Sequence, residues 1–452
     1  MQALAKALKR LSVGDTVVRR NPLFYADARA TLERLLDGDI AAREEWTRET
    51  LAKTLWVARR TGYGQQIPRG ENIESWPLLQ KEQVRNHPRA FQSRNSWLIA
   101  KASTGGTSGA PLQLTRSLRA IVFEQACIDQ MMALLGAGPR SAKCAVLRTD
   151  AIKDPNDFSP PFWVEAGGGQ RLIFSCSHLN AKTVGAYIAA LEKFAPDVLW
   201  AYPTSLEALC LLLEQSGSKL RVPRVMSSSE VLHSPVWDLA KSTLECSLLD
   251  YYGQAERVAL AYATSPGEYR FLPGYAHVEF RKVATEGDLA TYEIIGTSLW
   301  NLAMPLVRYA TGDLIRLPKS WGTRELKELA FGARTFAGVL GRDSDILLTP
   351  EGVKVTGISH FQRDVKNIMR IQVVQETQHA VMVRVLAKPA FNSRDHEALL
   401  HNVHAKLPST MQVQIEVADK LERTALGKTP FVIHRPEVKQ RLREMQAQRG
   451  TA

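Results

Sequence analysis

With 452 residues, of which 45% are hydrophobic and 23% charged, the chain has the composition of a globular protein with two or three domains. The net charge of +12 is spread along the sequence without a run of five or six basic residues. Such a charge is compatible with nucleic acid, with an anionic membrane surface and equally with anionic small substrates, and without a basic run nucleic acid binding is a minority hypothesis. No stretch approaches 18 apolar residues, and residues 1–13 lack a signal-peptide core, so we expect a cytoplasmic enzyme without a membrane span.

The five cysteines lie far apart, and none forms a C-x-x-C pair. Each lies in an apolar context and is expected to pack as a small core residue. Structural zinc is therefore not expected. The sequence does not define the oligomeric state, and a dimer is one option.

Residues 1 to about 95 are predicted to be mainly helical, with helices at 27–36 and 41–60, and a short strand at 97–100 leads into a glycine-rich loop. Beyond that loop, short apolar strands alternate with helices of ten to fifteen residues, which is typical of βαβ units and a largely parallel sheet. The strands are predicted at 144–147, 171–175, 197–202, 224–227 and 247–251, and the helices at 118–135, 181–194, 205–215 and 235–244. Ligands are then expected at the carboxyl ends of the strands.

The pattern changes in the last third of the chain. Alternating apolar and polar residues at 277–280, 292–295 and 306–309 predict an antiparallel subdomain. After about residue 343, strands at 371–375, 380–386 and 412–417 and helices at 359–367 and 393–406 predict a compact α+β unit. We therefore predict an α/β fold with two domains: a large N-terminal domain, 1–343, with βαβ layers and an antiparallel subdomain, and a small α+β C-terminal domain, 344–452.

The glycine-rich loop reads Ser103-Thr104-Gly105-Gly106-Thr107-Ser108-Gly109-Ala110-Pro111. Glycines let backbone amides approach a ligand closely, and the hydroxyl groups add donors for phosphate oxygens. A flexible surface loop is the equally weighted alternative. The loop is not a Walker A motif, because no Gly-Lys-Ser/Thr follows it, and Glu422 stands where the first Walker glycine would precede Gly427-Lys428-Thr429.

Four further motifs follow in a fixed order. They are Tyr251-Tyr252-Gly253-Gln254-Ala255-Glu256, Arg308-Tyr309-Ala310-Thr311-Gly312-Asp313-Leu314, Gly341-Arg342-Asp343-Ser344-Asp345 and Arg423-Thr424-Ala425-Leu426-Gly427-Lys428. The ordered set resembles the adenylate-forming superfamily. The segments Pro77-Leu78-Leu79-Gln80-Lys81-Glu82 and Ala201-Tyr202-Pro203-Thr204-Ser205-Leu206 resemble its phenylacetate–coenzyme A ligase branch, which includes capsular-polysaccharide relatives of the CapK type.

The resemblance implies ATP and Mg²⁺ as cofactors and assigns a role to each motif. Glu256 would bind Mg²⁺, which prefers carboxylate and phosphate oxygens, and Asp313 would accept hydrogen bonds from the ribose hydroxyls. Lys428, carried by the mobile domain, would stabilise the charge that develops between the attacking carboxylate and the α-phosphate. The remaining predicted ATP-binding residues are Ser103, Thr104, Gly105, Gly106, Thr107, Ser108, Gly109, Ser229, Glu230, Tyr252, Gly253 and Arg342.

The acid and the acyl acceptor are less closely defined. The predicted acid pocket comprises Tyr202, Pro203, Thr204, Ser228, Tyr251 and Ala255, and its aromatic residues favour an aryl or arylalkanoic acid. Coenzyme A is the favoured acceptor, with Lys354 near its pantetheine arm. An amine or hydroxyl acceptor is the first alternative, and a non-catalytic nucleotide-binding protein is the second.

Three positions depart from the pattern of the family. Ala110 replaces a common lysine, Ala255 replaces a Ser/Thr hydroxyl, and Ser344 stands where the hinge aspartate usually lies. The two alanines motivate the non-catalytic alternative. Hinges tolerate small residues, so Ser344 is compatible with domain rotation.

Overall fold

The computed structural model describes residues 15–68, 72–93, 99–103, 112–138, 140–148, 152–154, 156–232, 234–340, 347–355, 358–362, 364–387, 389–419, 421–422 and 432–447. None of the helices in these ranges is long and apolar enough to cross a membrane. The predicted site residues Thr104 to Gly109, Arg342 and Lys428 lie outside the described ranges, as do Ala110 and Ser344.

The described α-helices are α1 (Tyr25–Asp37), α2 (Ile40–Ala58), α3 (Lys81–Asn86), α4 (Leu118–Leu134), α5 (Val184–Phe194), α6 (Pro203–Ser216), α7 (Ser234–Leu244), α8 (Thr323–Ala330), α9 (Ser393–His404) and α10 (Pro436–Ala447). The two predicted N-terminal helices match α1 and α2. In the described residues that follow, 59–68 and 72–93, the helical structure consists of short 3₁₀ turns and the six-residue α3.

The strands of the large domain are β1 (Ile99–Ser103), β2 (Gln113–Ser117), β3 (Cys144–Leu147), β4 (Trp163–Ala166), β5 (Arg171–Phe174), β6 (Val198–Ala201), β7 (Arg224–Ser228), β8 (Ser247–Gly253), β9 (Leu260–Ala263), β10 (Arg270–Phe271), β11 (Ala276–Glu286), β12 (Leu289–Ser298), β13 (Tyr309–Pro318) and β14 (Val339–Leu340). Eight of them form one sheet in the order β10-β9-β8-β7-β6-β3-β5-β4. The pairs from β5 through β3, β6 and β7 to β8 are parallel, so the predicted parallel sheet is confirmed.

Local sequence explains how the helices that flank this sheet begin and end. Ser117 caps α4 by accepting a hydrogen bond from the Ala120 amide at 3.2 Å, and ten residues of α4 are buried. Pro203 occupies the first turn of α6, where a missing N–H costs nothing, and Gly217 ends that helix at φ +62°. The start of α6 therefore directly follows the carboxyl end of β6.

The antiparallel subdomain is confirmed, with one correction to its strands. Its four strands pair in the order β11-β12-β13-β14. The predicted strand at 306–309 is wrong, because β13 begins only at Tyr309. Arg308 has a positive φ of +49°, which breaks the extended backbone just before that strand.

The small unit contains a hairpin of β15 (Leu347–Leu348) and β16 (Lys354–Val355), followed by β17 (Ile368–Gln375), β18 (Ala380–Ala387), β19 (Gln412–Val417) and β20 (Val432–His434). The last four form a sheet in the order β19-β18-β17-β20, with its own apolar core. The predicted helix at 359–367 is wrong: a short 3₁₀ turn, Ile358–Gln362, stands there, and positive φ angles at Asp364 and Asn367 stop it. The domain boundary at 343/344 falls outside the described residues and stays a prediction.

Candidate functional site

The carboxyl ends of four parallel strands bring most of the predicted acid-pocket residues together. β3, β6, β7 and β8 are neighbours in the sheet and run in the same direction. Parallel strands end at one edge of a sheet, so the residues that follow them meet there. Tyr202 and Pro203 follow β6, Ser228 ends β7, and Tyr251 lies near the end of β8. Thr204 lies in the first turn of α6.

Ser228 and Ser229 have different environments although they are adjacent in the chain. Ser228 is buried and accepts a hydrogen bond from Trp200 Nε1 at 3.3 Å. Ser229 is exposed, has a left-handed φ of +76°, and accepts a hydrogen bond from Arg148 Nη2 at 3.0 Å. Such a backbone angle is unusual for serine and is typical of strained functional sites. Glu230 is the next residue and is half-buried.

Asp313 lies in an irregular part of β13 that directs its side chain toward β8. The register between β12 and β13 shifts, so that Thr311, Gly312 and Asp313 form a bulge opposite Ile294. Gly312 has a φ of +76°, and the Asp313 amide donates a hydrogen bond to Thr311 Oγ1 at 3.0 Å. These contacts fix the position of the predicted ribose-binding carboxylate.

Tyr252 binds Asp313 from the end of β8. Its hydroxyl donates a hydrogen bond to Asp313 Oδ2 at 2.7 Å and accepts one from Gln254 Nε2 at 2.8 Å. Burial, together with the Asp313 carboxylate, raises the pKa of Tyr252 well above its usual value. The phenol is therefore a fixed neutral donor beside Asp313. Gly253 completes β8 next to it.

Glu256 makes the converse contact: here the carboxylate follows β8 and the tyrosine that binds it lies on β13. Tyr309, the first residue of β13, donates a hydrogen bond from its hydroxyl to Glu256 Oε1 at 2.8 Å. Lys81 Nζ, from α3, lies 3.4 Å from the same oxygen. Among the residues that the structure describes, no hydrogen bond or ion pair meets Oε2 of Glu256. Two tyrosine–carboxylate bonds thus join β8 and β13 reciprocally.

Lys81 reaches this position because the segment before it pairs with the start of β13. The Leu79 amide donates to the Arg308 carbonyl at 2.9 Å, and the Ala310 amide donates to the Leu79 carbonyl at 2.9 Å. In the sequence, Lys81 belongs to a stretch that marks a family resemblance and carries no predicted role. Its contact with Glu256 joins positions 175 residues apart, which no local pattern indicates.

The base of the glycine-rich loop is tied to the Glu256 motif. Ser103 ends β1 and pairs with Gln113 of β2. Arg116, also on β2, donates a hydrogen bond from Nη2 to the Ala255 carbonyl at 2.6 Å. Burial, followed by the charge of Arg257, lowers the pKa of Arg116 to about 10. Arg116 therefore links the β1–β2 hairpin, which carries the predicted phosphate-binding loop, to the segment that carries Glu256.

The residues of this region fit a magnesium ion shared with substrate phosphates. The described residues contain no group of three or more His, Cys, Asp or Glu side chains that could hold a metal. Mg²⁺ in nucleotide sites commonly takes one or two carboxylates and completes its shell with phosphate oxygens and water. Glu256 Oε2 meets that requirement. Lys354, the predicted residue near coenzyme A, lies in β16, which packs beside α6.

Comparison with known proteins relates the chain to two curated proteins. Residues 347–435 match the family described as the CapK C-terminal domain. Protein CapK of Staphylococcus aureus is 21% identical over 375 residues, covering 80% of each chain. Phenylacetate-coenzyme A ligase of Pseudomonas putida is 23% identical over 222 residues, 46% of this chain and 47% of that one. These matches confirm the resemblance that the ordered motifs predict.

Among solved structures, a 2-hydroxyisobutyryl-CoA ligase in complex with 2-HIB-AMP and CoA is similar over 94% of this chain and 92% of that one, with 15% identity and a TM-score of 0.49. An anthranilate CoA ligase in complex with anthranoyl-AMP is similar over 77% of this chain and 67% of that one, with 15% identity and a TM-score of 0.32.

Proposed function

Because the chain is a homologue of CapK and of phenylacetate-coenzyme A ligase, we propose that it activates a carboxylic acid with ATP. It would form an acyl-adenylate and pyrophosphate and then transfer the acyl group to coenzyme A. The aromatic residues at the sheet edge favour an aryl or arylalkanoic acid. The observation that carries this proposal is the reciprocal pair of bonds from Tyr252 to Asp313 and from Tyr309 to Glu256. It brings the predicted ribose and metal ligands to adjoining ends of β8 and β13.

The nucleotide would lie across this pair. Asp313, held by Tyr252, would accept hydrogen bonds from the ribose hydroxyls, while Ser229 and Glu230 would meet the base. Glu256 Oε2 would bind Mg²⁺, which neutralises phosphate charge when it is present. Lys81, 3.4 Å from Oε1, adds a second cation beside the expected phosphates.

The glycine-rich loop would hold the β- and γ-phosphates through the amides and hydroxyls of residues 104–108, with Arg342 near the ribose and α-phosphate. In the first step, a carboxylate oxygen attacks the α-phosphorus and the bond to pyrophosphate breaks. Lys428 would stabilise the negative charge that builds up there. In the second step, the thiol attacks the acyl carbonyl, loses its proton, and displaces AMP.

ATP–pyrophosphate exchange tests the first step without any assumption about the acceptor. We expect at least one acid from a panel of aryl, arylalkanoic and aliphatic acids to support exchange. Lys428→Ala should lower the exchange rate by about two to three powers of ten, the usual effect of removing one donor to developing charge. Lys439→Ala, an exposed lysine on α10, is the matched control and should leave the rate unchanged. If folded protein supports exchange with none of the acids, the proposal is wrong.

The similarity to CapK over 80% of the chain leaves the acceptor open, and the second candidate is transfer of the acyl group to an amine or hydroxyl. Mass spectrometry separates the two candidates. A thioester formed with coenzyme A, and no amide or ester formed with amino or hydroxyl acceptors, supports the ligase proposal, and the converse result supports the alternative.

A further inference from the structure

Arg148 is a half-buried arginine to which the sequence motifs assign no role. It directly follows β3, whose last residue, Leu147, pairs with Ala201 of β6. Its side chain crosses β6: the guanidinium carbon lies 4.6 Å from the ring centroid of Trp200 and 5.1 Å from that of Tyr202. Its Nη2 then reaches Ser229, just beyond β7. The guanidinium therefore lies over the carboxyl edge of the sheet, among the predicted acid-pocket residues.

The contacts of Arg148 fix the orientation of its planar guanidinium group but do not neutralise its charge. Two aromatic rings attract the cation through their faces, and the bond to Ser229 uses one of its five N–H donors. Within the described part of the chain, no carboxylate forms an ion pair with Arg148. A planar guanidinium fixed in this way matches a carboxylate, which it can bind through two parallel hydrogen bonds.

The guanidinium of Arg148 lies between the predicted acid pocket and the predicted nucleotide site. The ribose and metal carboxylates are joined to β8 and to the segment after it. Arg148 instead contacts the rings of Trp200 and Tyr202 and reaches Ser229, which we expect to meet the base. An acid whose reacting carboxylate lies near the α-phosphate and whose other end lies over these rings would therefore reach Arg148.

The residues around Arg148 are largely aromatic. The rings of Trp200 and Tyr251 lie 6.2 Å apart, and Trp200 is fixed by its bond to the buried Ser228. Aromatic rings beside an oriented cation fit a substrate with an apolar body and an anionic far end, because the anion would pair with the guanidinium while the body packs on the rings.

We propose that Arg148 binds a second anionic group on the acid, so that the substrate is a dianionic acid, such as an aryl acid or alkanoic acid with a second carboxylate. This inference rests on the proposed function and narrows its substrate class. Arg148 acts in this account as a specificity-determining residue, and the bond from Arg148 to Ser229 couples substrate binding to the strained turn after β7.

Matched pairs of acids test the proposal. In each pair a methyl group is exchanged for a carboxylate: 4-methylphenylacetate with 4-carboxyphenylacetate, and pentanoate with glutarate. In ATP–pyrophosphate exchange, the wild type should prefer at least one dianion over its methyl partner by about 10- to 100-fold in kcat/KM, as expected for one charge-assisted contact. Arg148→Met should abolish that preference by lowering kcat/KM for the dianion more than kcat/KM for its methyl partner. Arg148→Lys should keep part of it.

Arg221→Met is the matched control, since Arg221 is exposed near the opposite, amino end of β7 and should not affect selectivity. The inference is overturned if the wild type prefers the methyl members, or if Arg148→Met keeps the preference for the dianion.

A binding measurement that needs no catalysis distinguishes failure of this inference from failure of the proposed function. A dianion should raise the Tm of the wild type but not that of Arg148→Met. Absence of exchange together with this Tm shift would contradict only the catalytic proposal.

Discussion

Asp129 and Glu256 are both buried carboxylates bonded to a tyrosine hydroxyl, but their remaining contacts differ. Both oxygens of Asp129 accept hydrogen bonds: Arg20 donates to each of them, Gln125 donates to Oδ1, and the Tyr25 hydroxyl donates to Oδ2. Within the described residues, the two contacts of Glu256, from Tyr309 and Lys81, both meet Oε1. A carboxylate whose two oxygens both accept hydrogen bonds from the protein holds the fold together. A carboxylate with one oxygen available can also bind a ligand.

The surroundings of the two carboxylates agree with this difference. Asp129 is fully buried on α4 and attaches the N-terminal segment of the described chain to that helix. Burial and the hydrogen bond to Asp129 raise the pKa of Tyr25 to about 12, so Tyr25 remains a donor at all ordinary pH values. Glu256 lies beside a lysine, the base of the glycine-rich loop and the ribose-binding candidate. The first region serves stability, and we expect the second to serve chemistry.

The largest expected effect is on stability, at the saturated carboxylate. Asp129→Ala leaves the Arg20 guanidinium buried without its partner, and should lower the free energy of unfolding by about 3–5 kcal/mol. Denaturant unfolding measures this loss. Glu33→Ala, which breaks an exposed pair with Arg29 on α1, is the control and should change stability by less than about 0.5 kcal/mol. A loss at Asp129 as small as that of the control would contradict the comparison.

Asp250, on β8, provides an intermediate case, because it is buried in the sheet and receives a hydrogen bond from Tyr269. Burial raises its pKa from 3.8 to about 6, although the bond from Tyr269 opposes the shift. As the pH rises, the Asp250 carboxyl loses its proton at a lower pH in the unfolded state than in the folded state. The contribution of Asp250 to stability is therefore present at acidic pH and is lost as the pH rises through 6.

Asp250→Asn removes that titration and retains an acceptor for Tyr269. Between pH 4.5 and 7.5, the wild type should lose about 2 kcal/mol of stability relative to Asp250→Asn. Unfolding curves at both pH values measure the difference. A wild type that gains stability relative to the variant over this range would show that Asp250 is held ionised, like Asp129.

Glu256→Gln tests the open carboxylate. The amide can still accept the Tyr309 hydroxyl but lacks the charge that Mg²⁺ and Lys81 require. We expect adenylation to slow by about 10- to 100-fold and the Mg²⁺ concentration for half-maximal rate to rise, with stability changed by less than about 1 kcal/mol. Glu268→Gln, an exposed carboxylate in the same domain, is the control. If Glu256→Gln lowered the free energy of unfolding as much as Asp129→Ala, Glu256 would be a structural carboxylate like Asp129.

Tyr252→Phe has the smallest expected effect. It deletes one neutral donor to Asp313 and should raise the KM for ATP by about 2- to 10-fold with little change in kcat. The neighbouring Tyr262→Phe, on β9, is the control and should leave the KM unchanged. An unaltered KM in Tyr252→Phe would mean that Asp313 is not oriented through this tyrosine.

Regular patterns predicted the sheet well, and isolated backbone angles produced the errors. The predicted strand 144–147 coincides with β3, because an apolar run between turns is a local signal. The strand at 306–309 and the helix at 359–367 were wrong because Arg308, Asp364 and Asn367 adopt positive φ angles. Arg308 gives no sign of such an angle in the sequence, whereas Asp364 and Asn367 belong to residue types enriched at positive φ, a signal that the helix prediction did not use.

For the candidate site, motifs indicated Glu256 and Asp313, but not what holds them. Tyr309 lies inside a predicted motif, yet its bond to a carboxylate 53 positions away depends on how β8 and β13 pack. Arg148 had no signal at all: it is one arginine after an apolar strand, and its neighbours Trp200 and Ser229 come from two other strands.

Direct detection of an acyl-adenylate tests the central claim most closely. Wild-type protein would be incubated with ATP, Mg²⁺ and a carboxylic acid that supports exchange, without coenzyme A, and the products analysed by mass spectrometry. We predict an acyl-AMP that forms with wild type and Glu268→Gln, falls sharply with Glu256→Gln and Lys428→Ala, and converts to a thioester when coenzyme A is added. ATP bound by folded protein with no acyl-AMP from any acid, or an acyl-AMP that forms equally well in all four proteins, would contradict the account.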